Sequence, residues 1–501
     1  MKAFPVSKQL PRVVIVGGGF GGLYAAKGLA RAAVRVTVID RHNYHLFRPM
    51  LYQVATGLLS SDQVAAPLRS ILRQQENVEV LLAEVTGVDT AAKLVQTDQG
   101  CISYDFLILA TGIHYNYFGH DEWKQVAPGL DTVDDADEIR GKILLAFEEA
   151  ESIAARTEAD SDSVRDLLTF VIVGGGTAGV EMAGTMAEMT RLALARDFRH
   201  IDPRSARILL YEAGARILPT YPEHLSRKSR QHLEALGVQV HVNAKVEKVD
   251  GDGVIVAGTR IRSRTVIWSA GVAASPAGQW LSAETDRSGR VKVGEDLSLP
   301  GHPDVFVIGD TALVRAHTRD MLGRRSREKV ALAGVAQPAI QEGKYVAKLI
   351  RARVVGKQAL APFWYWDKGS MAIVGRTYAI ADLNFVRFAG FLAWLTWAGV
   401  HIYFLIGFAN RLLVMFQWGV SFLTKRRAVR IFPSDLHMSV PIRDLCSESE
   451  LNRSTVDEPR AHPRLGVKNR PAASGRREIQ PTPPAAALGE HPNRRIPIEF
   501  R

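Results

Sequence analysis

Short apolar runs that stop abruptly at glycine recur along the chain. Val13–Val16 ends at Gly17, and Phe170–Val173 ends at Gly174. Runs this short, rich in valine and isoleucine and apolar at successive positions, predict strands buried on both faces, as in a parallel sheet. The stretches VRVTVID (34–40), FLILATG (106–112), RILLYEAG (207–214) and HPDVFVIGD (302–310) read the same way. Between them the pattern turns helical. LYAAKGLAR follows the first glycine turn, GVEMAGTMAEM follows the second, and 131–166 reads as a charged helical connector. A further helix is entered at Gly334, and its GVAQPAIQEGKYVAKLI places Gln337 and Gln341 four residues apart on one face. Phe388–Asn410 then runs for 23 residues without a formal charge, enough to cross a hydrocarbon core of about 30 Å as a transmembrane helix, with lying in one leaflet as the alternative. The uncharged run 412–424 is too short to span.

Strand, glycine turn, helix, second strand and terminal acid occur in that order twice, about 157 residues apart. The predicted class is α/β, with two Rossmann-like dinucleotide-binding domains and C-terminal helices that associate with a membrane. The first unit pairs with the distant strand that ends at Asp310, which predicts a discontinuous domain with the second unit inserted in it. The expected boundaries are 1–165 with the connector, 166–290 for the insert, 291–359 for the return, 360–432 for the membrane region and 433–501 for a disordered basic tail.

The glycine spacing carries chemistry. Gly17, Gly19 and Gly22 follow G-x-G-x-x-G, as do Gly174, Gly176 and Gly179. In that spacing one glycine makes the tight turn, one lets a pyrophosphate approach the backbone, and one lets helix pack on strand. The helix N-terminus offers unpaired N–H groups and partial positive charge to the phosphates. Asp40 and Glu212 end the second strands, where an acid accepts from a ribose hydroxyl. One chain with two such units binds two dinucleotides, most simply a flavin and a nicotinamide. The first motif, with Ala110, Thr111, Gly112 and Asp310, is assigned to the flavin. The second, with Glu212, Ala270 and Gly271, is assigned to NADH, because Glu212 suits a free 2′-hydroxyl. Arg216, four residues on, is the residue that would soften this preference. From spacing alone Gln337 and Gln341 read as surface glutamines, although two amides on one face would also bracket a carbonyl-bearing ring.

Composition narrows the picture further. Only Cys101 and Cys446 are present in 501 residues, which excludes a disulfide framework, a CxxC redox pair and a cysteine-rich metal site. No metal site is expected. The net charge is +11, and residues 411–501 hold 16 Lys/Arg against 9 Asp/Glu. A basic end beside apolar segments points to a membrane surface, not nucleic acid. The first motif starts so early that no secretory leader is expected before it.

These residues resemble the type II NADH dehydrogenases, single-chain NADH:quinone oxidoreductases of respiratory membranes. The resemblance covers about 12–432 and rests on GGGFGGL, HLFRPMLYQVATG, ILATG, VGGGTAGVEMAG, VFVIGD, GVAQPAIQ, WDKGSMAIVGR and NRLLVMFQW, in that order. Arg48 departs from it, where glutamine is more usual. The resemblance implies non-covalent FAD in the discontinuous domain, NADH against one flavin face, and a membrane quinone as acceptor, without proton pumping. It implies that Gln337 and Gln341 line the quinone site and that Glu181 handles protons near the two rings. It also implies a bilayer anchor that doubles as a homodimer contact, on the cytoplasmic face of the cell inner membrane. Sulfide:quinone and disulfide reductases need paired reactive cysteines, which are absent. The alternative from another class is a membrane-bound flavoprotein redox sensor or scaffold with little turnover.

Overall fold

The structure is a computed structural model and describes residues 10–156, 161–357, 360–424, 427 and 429–431. The tail call over 433–501 and part of the preceding basic cluster lie outside these residues.

The chain opens with β1 (Arg12–Val16), whose last four residues are buried, then α1 (Phe20–Gly28) and β2 (Arg35–Asp40). After the short, fully buried α2 (Leu51–Ala55) come β3 (Val78–Leu82) and β4 (Phe106–Leu109). The connector is α3 (Val133–Ala154). It starts at a reciprocal cap, where Thr132 Oγ1 accepts from Asp135 N at 3.1 Å and the Asp135 carboxylate accepts from Thr132 N at 2.8 Å. The second unit follows as β5 (Thr169–Val173), α4 (Thr177–Glu188), β6 (Arg207–Tyr211), β7 (Val238–His241) and β8 (Thr265–Trp268). The chain then returns to the first sheet with β9 (His302–Val307).

The first sheet runs β9-β4-β1-β2-β3, all parallel, with Ser298–Leu299 added antiparallel to β9. The second runs β8-β5-β6-β7, also all parallel. The order of the second sheet therefore repeats β4-β1-β2-β3 of the first. In both, the glycine turn leaves the carboxyl end of a central strand, where the connections diverge to the two sides and open α/β sheets bind ligands.

Past β9 the chain forms β10 (Arg315–Arg319), β11 (Val330–Ala331) and α5 (Ala336–Val354). Helix α5 packs along α1, with the Gly343 backbone against Gly21 O, where an added Cβ would sit at 2.3 Å. Next come β12 (Trp364–Trp366) and an antiparallel meander of β13 (Ser370–Gly375), β14 (Tyr378–Asp382) and β15 (Arg387–Gly390). The chain then forms α6 (Phe391–Phe404) and α7 (Phe408–Thr424).

The apolar run 388–410 corrects the expectation of a spanning helix. Its first three residues belong to β15, and Gly407, at φ +88°, separates α6 from α7. The 14 residues of α6 reach about 21 Å, short of the roughly 30 Å core. Among the described residues no helix is long and apolar enough to cross a membrane. Hydropathy counts apolar residues, but it does not show that a sheet claims some of them.

Candidate functional site

Both glycine turns are built alike. Gly17 (φ +102°) and Gly174 (φ +108°) adopt a conformation that L side chains avoid, and an added Cβ at either would strike the backbone of a neighbouring strand end. At Gly17 that neighbour is Ala110 O, at 2.3 Å; at Gly174 it is Ser269, with Ala270 N at 2.8 Å. Gly22 and Gly179 hold the helix against the turn, with Cβ positions 1.8 and 1.9 Å from Gly17 O and Gly174 O. Gly19 and Gly176 differ. A Cβ at either meets nothing within 4 Å, and these two residues N-cap α1 and α4 without a side-chain cap. Each helix thus begins with uncapped N–H groups facing an open space, which fits a pyrophosphate.

The acids at the strand ends are also equivalent. Asp40 accepts from Gly18 N at 2.5 Å and His42 N at 2.7 Å. Glu212 accepts from Gly175 N at 2.7 Å and Gly214 N at 2.6 Å. Each carboxylate ties its glycine turn to the loop that follows it, at the rim of the open space. Arg216 does not face that rim: its guanidinium donates to Tyr221 O at 2.7 Å and Pro219 O at 2.8 Å.

The loops after β4 and β8 join the two sites. Ile113–Tyr115 pairs antiparallel with Val272–Ala274, Asn116 N donates to Gly271 O at 3.4 Å, and Thr111 Oγ1 lies 2.5 Å from Ser275 Oγ. Thr111 Oγ1 is also 3.1 Å from Thr311 Oγ1, and Thr311 Oγ1 donates to Gly112 O. Ala110, Thr111 and Gly112 therefore sit between Gly17 and the turn that carries Asp310. Asp310 lies against the backbone of Gly334, just before α5. Burial raises its carboxyl pKa, and the Arg48 and Arg290 guanidinium groups oppose this. Arg48 is ion-paired with Asp131 and also donates to Ile113 O, so the departure from the resemblance is an anchored cation.

The structure separates the two glutamines. Gln341 is committed at both ends of its amide: Nε2 donates to Trp366 O and Oε1 accepts from Trp366 N, each at 2.9 Å. It fastens α5 to β12. Gln337, one turn earlier, has a buried Oε1 with no hydrogen-bond partner among the described residues.

The same helix carries a buried acid that the sequence pattern did not single out. Glu342 is 1 % exposed, its Oε2 accepts from Gly309 N at 2.6 Å, and burial pushes its pKa up to about 8, with Asp310 adding to the rise. The available signal was its place on the 339–342–346 row, which is otherwise apolar. Glu181, on α4, is 7 % exposed, and among the described residues its carboxylate accepts only a long bond from Ile373 N, at 3.3 Å. Burial lifts its pKa to about 8 as well, and its charge is felt at Tyr52, Tyr115 and Tyr221. Two turns further, Glu188 accepts from Arg376 N at 2.6 Å and lines a cavity of about 50 Å³ with Trp394, Trp397, Trp418 and Arg427. The Arg427 guanidinium donates to Thr56 O and Thr185 O, each at 2.7 Å.

Residues 11–343 match the pyridine nucleotide-disulphide oxidoreductase family, and 366–427 match the NDH2 C-terminal domain. The type II NADH:quinone oxidoreductase Ndh of Mycobacterium tuberculosis is 44% identical over 431 residues, covering 83% of this chain and 89% of that protein. The Staphylococcus haemolyticus type II NADH:quinone oxidoreductase is 28% identical, covering 74% and 89%. The Plasmodium falciparum NDH2 structure in complex with NADH aligns with a TM-score of 0.73 at 20% identity, over 83% of this chain and 99% of that one. The paired glycine turns, the ribbon that joins them and these matches together place the chain in the type II NADH:quinone oxidoreductase family: an NADH-oxidising, quinone-reducing enzyme of mixed α/β dinucleotide-binding fold that uses FAD.

Proposed function

We propose that the first glycine turn holds FAD and the second holds NADH, and that the ribbon 113–115/272–274 sets the distance between them. FAD supplies the two-electron redox centre that accepts from a nicotinamide and donates to a quinone. The chain's own contribution is binding, orientation and proton handling. Gly17, Gly19, Gly22 and Asp40 would hold the adenine-side pyrophosphate and ribose, while Ala110, Thr111, Gly112 and Asp310 would hold the rest of FAD. Gly174, Gly176, Gly179 and Glu212 would hold NADH, with Ala270 and Gly271 beside the nicotinamide. Glu212 favours NADH over NADPH, since its carboxylate repels a 2′-phosphate and Arg216 is occupied elsewhere.

Glu181 is the proton-handling group in this reading, neutral at pH 7 through burial and able to give or take a proton near its raised pKa. Gln337, with its unsatisfied buried oxygen, is the better candidate of the two glutamines for contact with a quinone-site group. The exposed apolar side chains of α6 and α7, among them Phe416 at 72% and Leu423 at 81%, support seating on one leaflet of the inner membrane, on the side that holds NADH. A second copy of the chain would compete for part of this face. Chemistry confined to one side of the bilayer moves no charge across it, so the enzyme does not pump protons.

The observation that carries this reading is the repeated open N-cap at Gly19 and Gly176, two phosphate spaces joined by one ribbon. Stopped-flow mixing of the detergent-purified protein tests it. NADH should bleach the flavin absorbance, a water-soluble short-chain quinone should restore it within each turnover, and NADPH should bleach it more slowly. Bleaching without quinone-driven recovery would favour the redox-sensor alternative, and equal rates with NADPH would remove Glu212 from its role.

A further inference from the structure

The segment 315–331 belongs to neither glycine turn, yet it is strongly cationic and largely exposed. Strand β10 pairs antiparallel with β11 and parallel with β12. Between Arg315 and Lys329 there are six Lys/Arg and two Asp/Glu. One of the two acids, Asp320, is used internally. Its Oδ1 accepts from Leu322 N at 3.0 Å and Arg324 N at 2.8 Å, and its Oδ2 pairs with Arg324 Nε. Those bonds, with Asp320 N donating to Arg324 O, close a tight turn at the tip. The turn holds Met321 and Leu322 outward, 48% and 62% exposed. A tip braced by its own hydrogen bonds that presents two apolar side chains among cations is unfavourable in water alone.

The flank of the hairpin has the same character. Trp364 and Trp366 on β12 are each 42% exposed. Arg325 lies over the Trp364 ring at 5.4 Å, and Arg319 over the Trp366 ring at 5.9 Å. Arg319, Arg325 and Arg327 are exposed and have no acidic partner among the described residues. Lys368 Nζ stands 5.1 Å from the Trp366 ring centroid and 5.5 Å from that of Phe404, the last residue of α6. The layer of indole and cation therefore runs without a break into the apolar face of α6 and α7.

We propose that the 315–331 hairpin is a second membrane-contacting element that binds anionic phospholipid, with Met321 and Leu322 entering the acyl boundary and Arg319, Arg325 and Arg327 meeting headgroup phosphates. Tryptophans and arginines beside exposed apolar groups, with Glu328 the one exposed acid of the segment against three unpaired arginines, match the composition of a lipid interface. The contact deepens the proposed seating of α6 and α7, on which it rests. It makes the seating a two-point attachment that fixes the orientation of the enzyme and requires a negatively charged leaflet.

The test uses the full-length enzyme in flotation with phosphatidylcholine vesicles and with vesicles in which one third of the lipid is phosphatidylglycerol. Wild type should bind the neutral vesicles through α6 and α7 and the anionic ones about tenfold more tightly, with the gain lost at high salt. R319Q/R325Q/R327Q should lose that tenfold gain while keeping neutral binding and turnover with a water-soluble quinone. A second readout is a polarity-sensitive dye on Leu322→Cys in a Cys101→Ser, Cys446→Ser background, which should shift blue on anionic vesicles. Retention of the full anionic preference in the triple variant, or no shift of the dye, would overturn the proposal. A preference for polyglutamate over anionic vesicles would assign the surface to an acidic protein and also overturn it. Failure of wild type to bind either vesicle would remove the membrane seating itself, and loss of quinone turnover would bear on the enzymatic reading alone.

Discussion

The two glycine-turn units are near copies at their turns and in strand order, and unlike in what covers their helices. Each has a glycine beyond φ +100° after a buried strand, an open N-cap, and an acid that staples the turn through two backbone N–H groups. Their helices then diverge. Helix α1 is buried against α5 of its own domain, glycine backbone to helix. Helix α4 is buried against β13 of the C-terminal meander and carries two acids, Glu181 and Glu188, into that contact. The first unit has its buried acid on the partner helix, at Glu342. The turn is fixed by its own glycines and the acid that follows, whereas the helix behind it takes whatever partner the rest of the chain supplies.

Breaking the similar half gives the largest effect. A Cβ at Gly19 or Gly176 meets no protein atom, so valine there leaves the fold intact and blocks only what occupies the open space. Gly19→Val should lose the flavin absorbance, with affinity down more than a hundredfold. Gly176→Val should stay yellow but lose bleaching by NADH. Circular dichroism and the visible spectrum check both. Two variants with the same phenotype would undo the assignment of one nucleotide to each turn.

The dissimilar half is sharpened by pH. Glu181 and Glu342 both have pKa values near 8, raised by burial from the ordinary 4.5. Between those values the folded state holds protons that the unfolded chain releases. Stability is therefore full below about pH 4.5 and falls as pH rises toward 8, by about 1.4 kcal/mol per pH unit for each group. Above 8 the loss levels off. Glu181→Gln and Glu342→Gln should each flatten that slope by one group's share, read from denaturant melts at pH 5 to 9. They should differ in kinetics. Only Glu181→Gln should remove a pH-dependent limb near 8 from turnover with NADH and quinone, because Glu342 is held by the short bond from Gly309 N and acts as a brace.

The smallest effect separates the glutamines. Gln341→Leu leaves the Trp366 N–H and C=O without their amide and should cost about 1–3 kcal/mol of stability with little change in quinone KM. Gln337→Leu should leave stability nearly unchanged and raise quinone KM severalfold, seen as slower flavin recovery with unaltered bleaching. Equal behaviour of the pair would return both to a packing role.

Much of this was legible in the chain. The two turns could be read because each depends on residues within one short segment: an apolar run, glycines at fixed spacing and an acid at the next strand end. The α/β class follows from the same units, since strands apolar at every position must be covered on both faces. Tertiary structure decided what depends on distant partners. Residues 388–410 look uniform in hydropathy, yet β14 takes Phe388–Gly390 as an edge strand and Gly407 ends the helix that remains. Gln337 and Gln341 share one helical face, but β12 claims only the second. Glu342 sits beside a surface-like glutamine and is sealed by Gly309, more than thirty residues away. Spacing along a chain determines local geometry and the ligand chemistry that backbone groups can offer. Burial, and with it a side chain's charge state and free hydrogen-bonding capacity, is set by whichever element arrives to cover it.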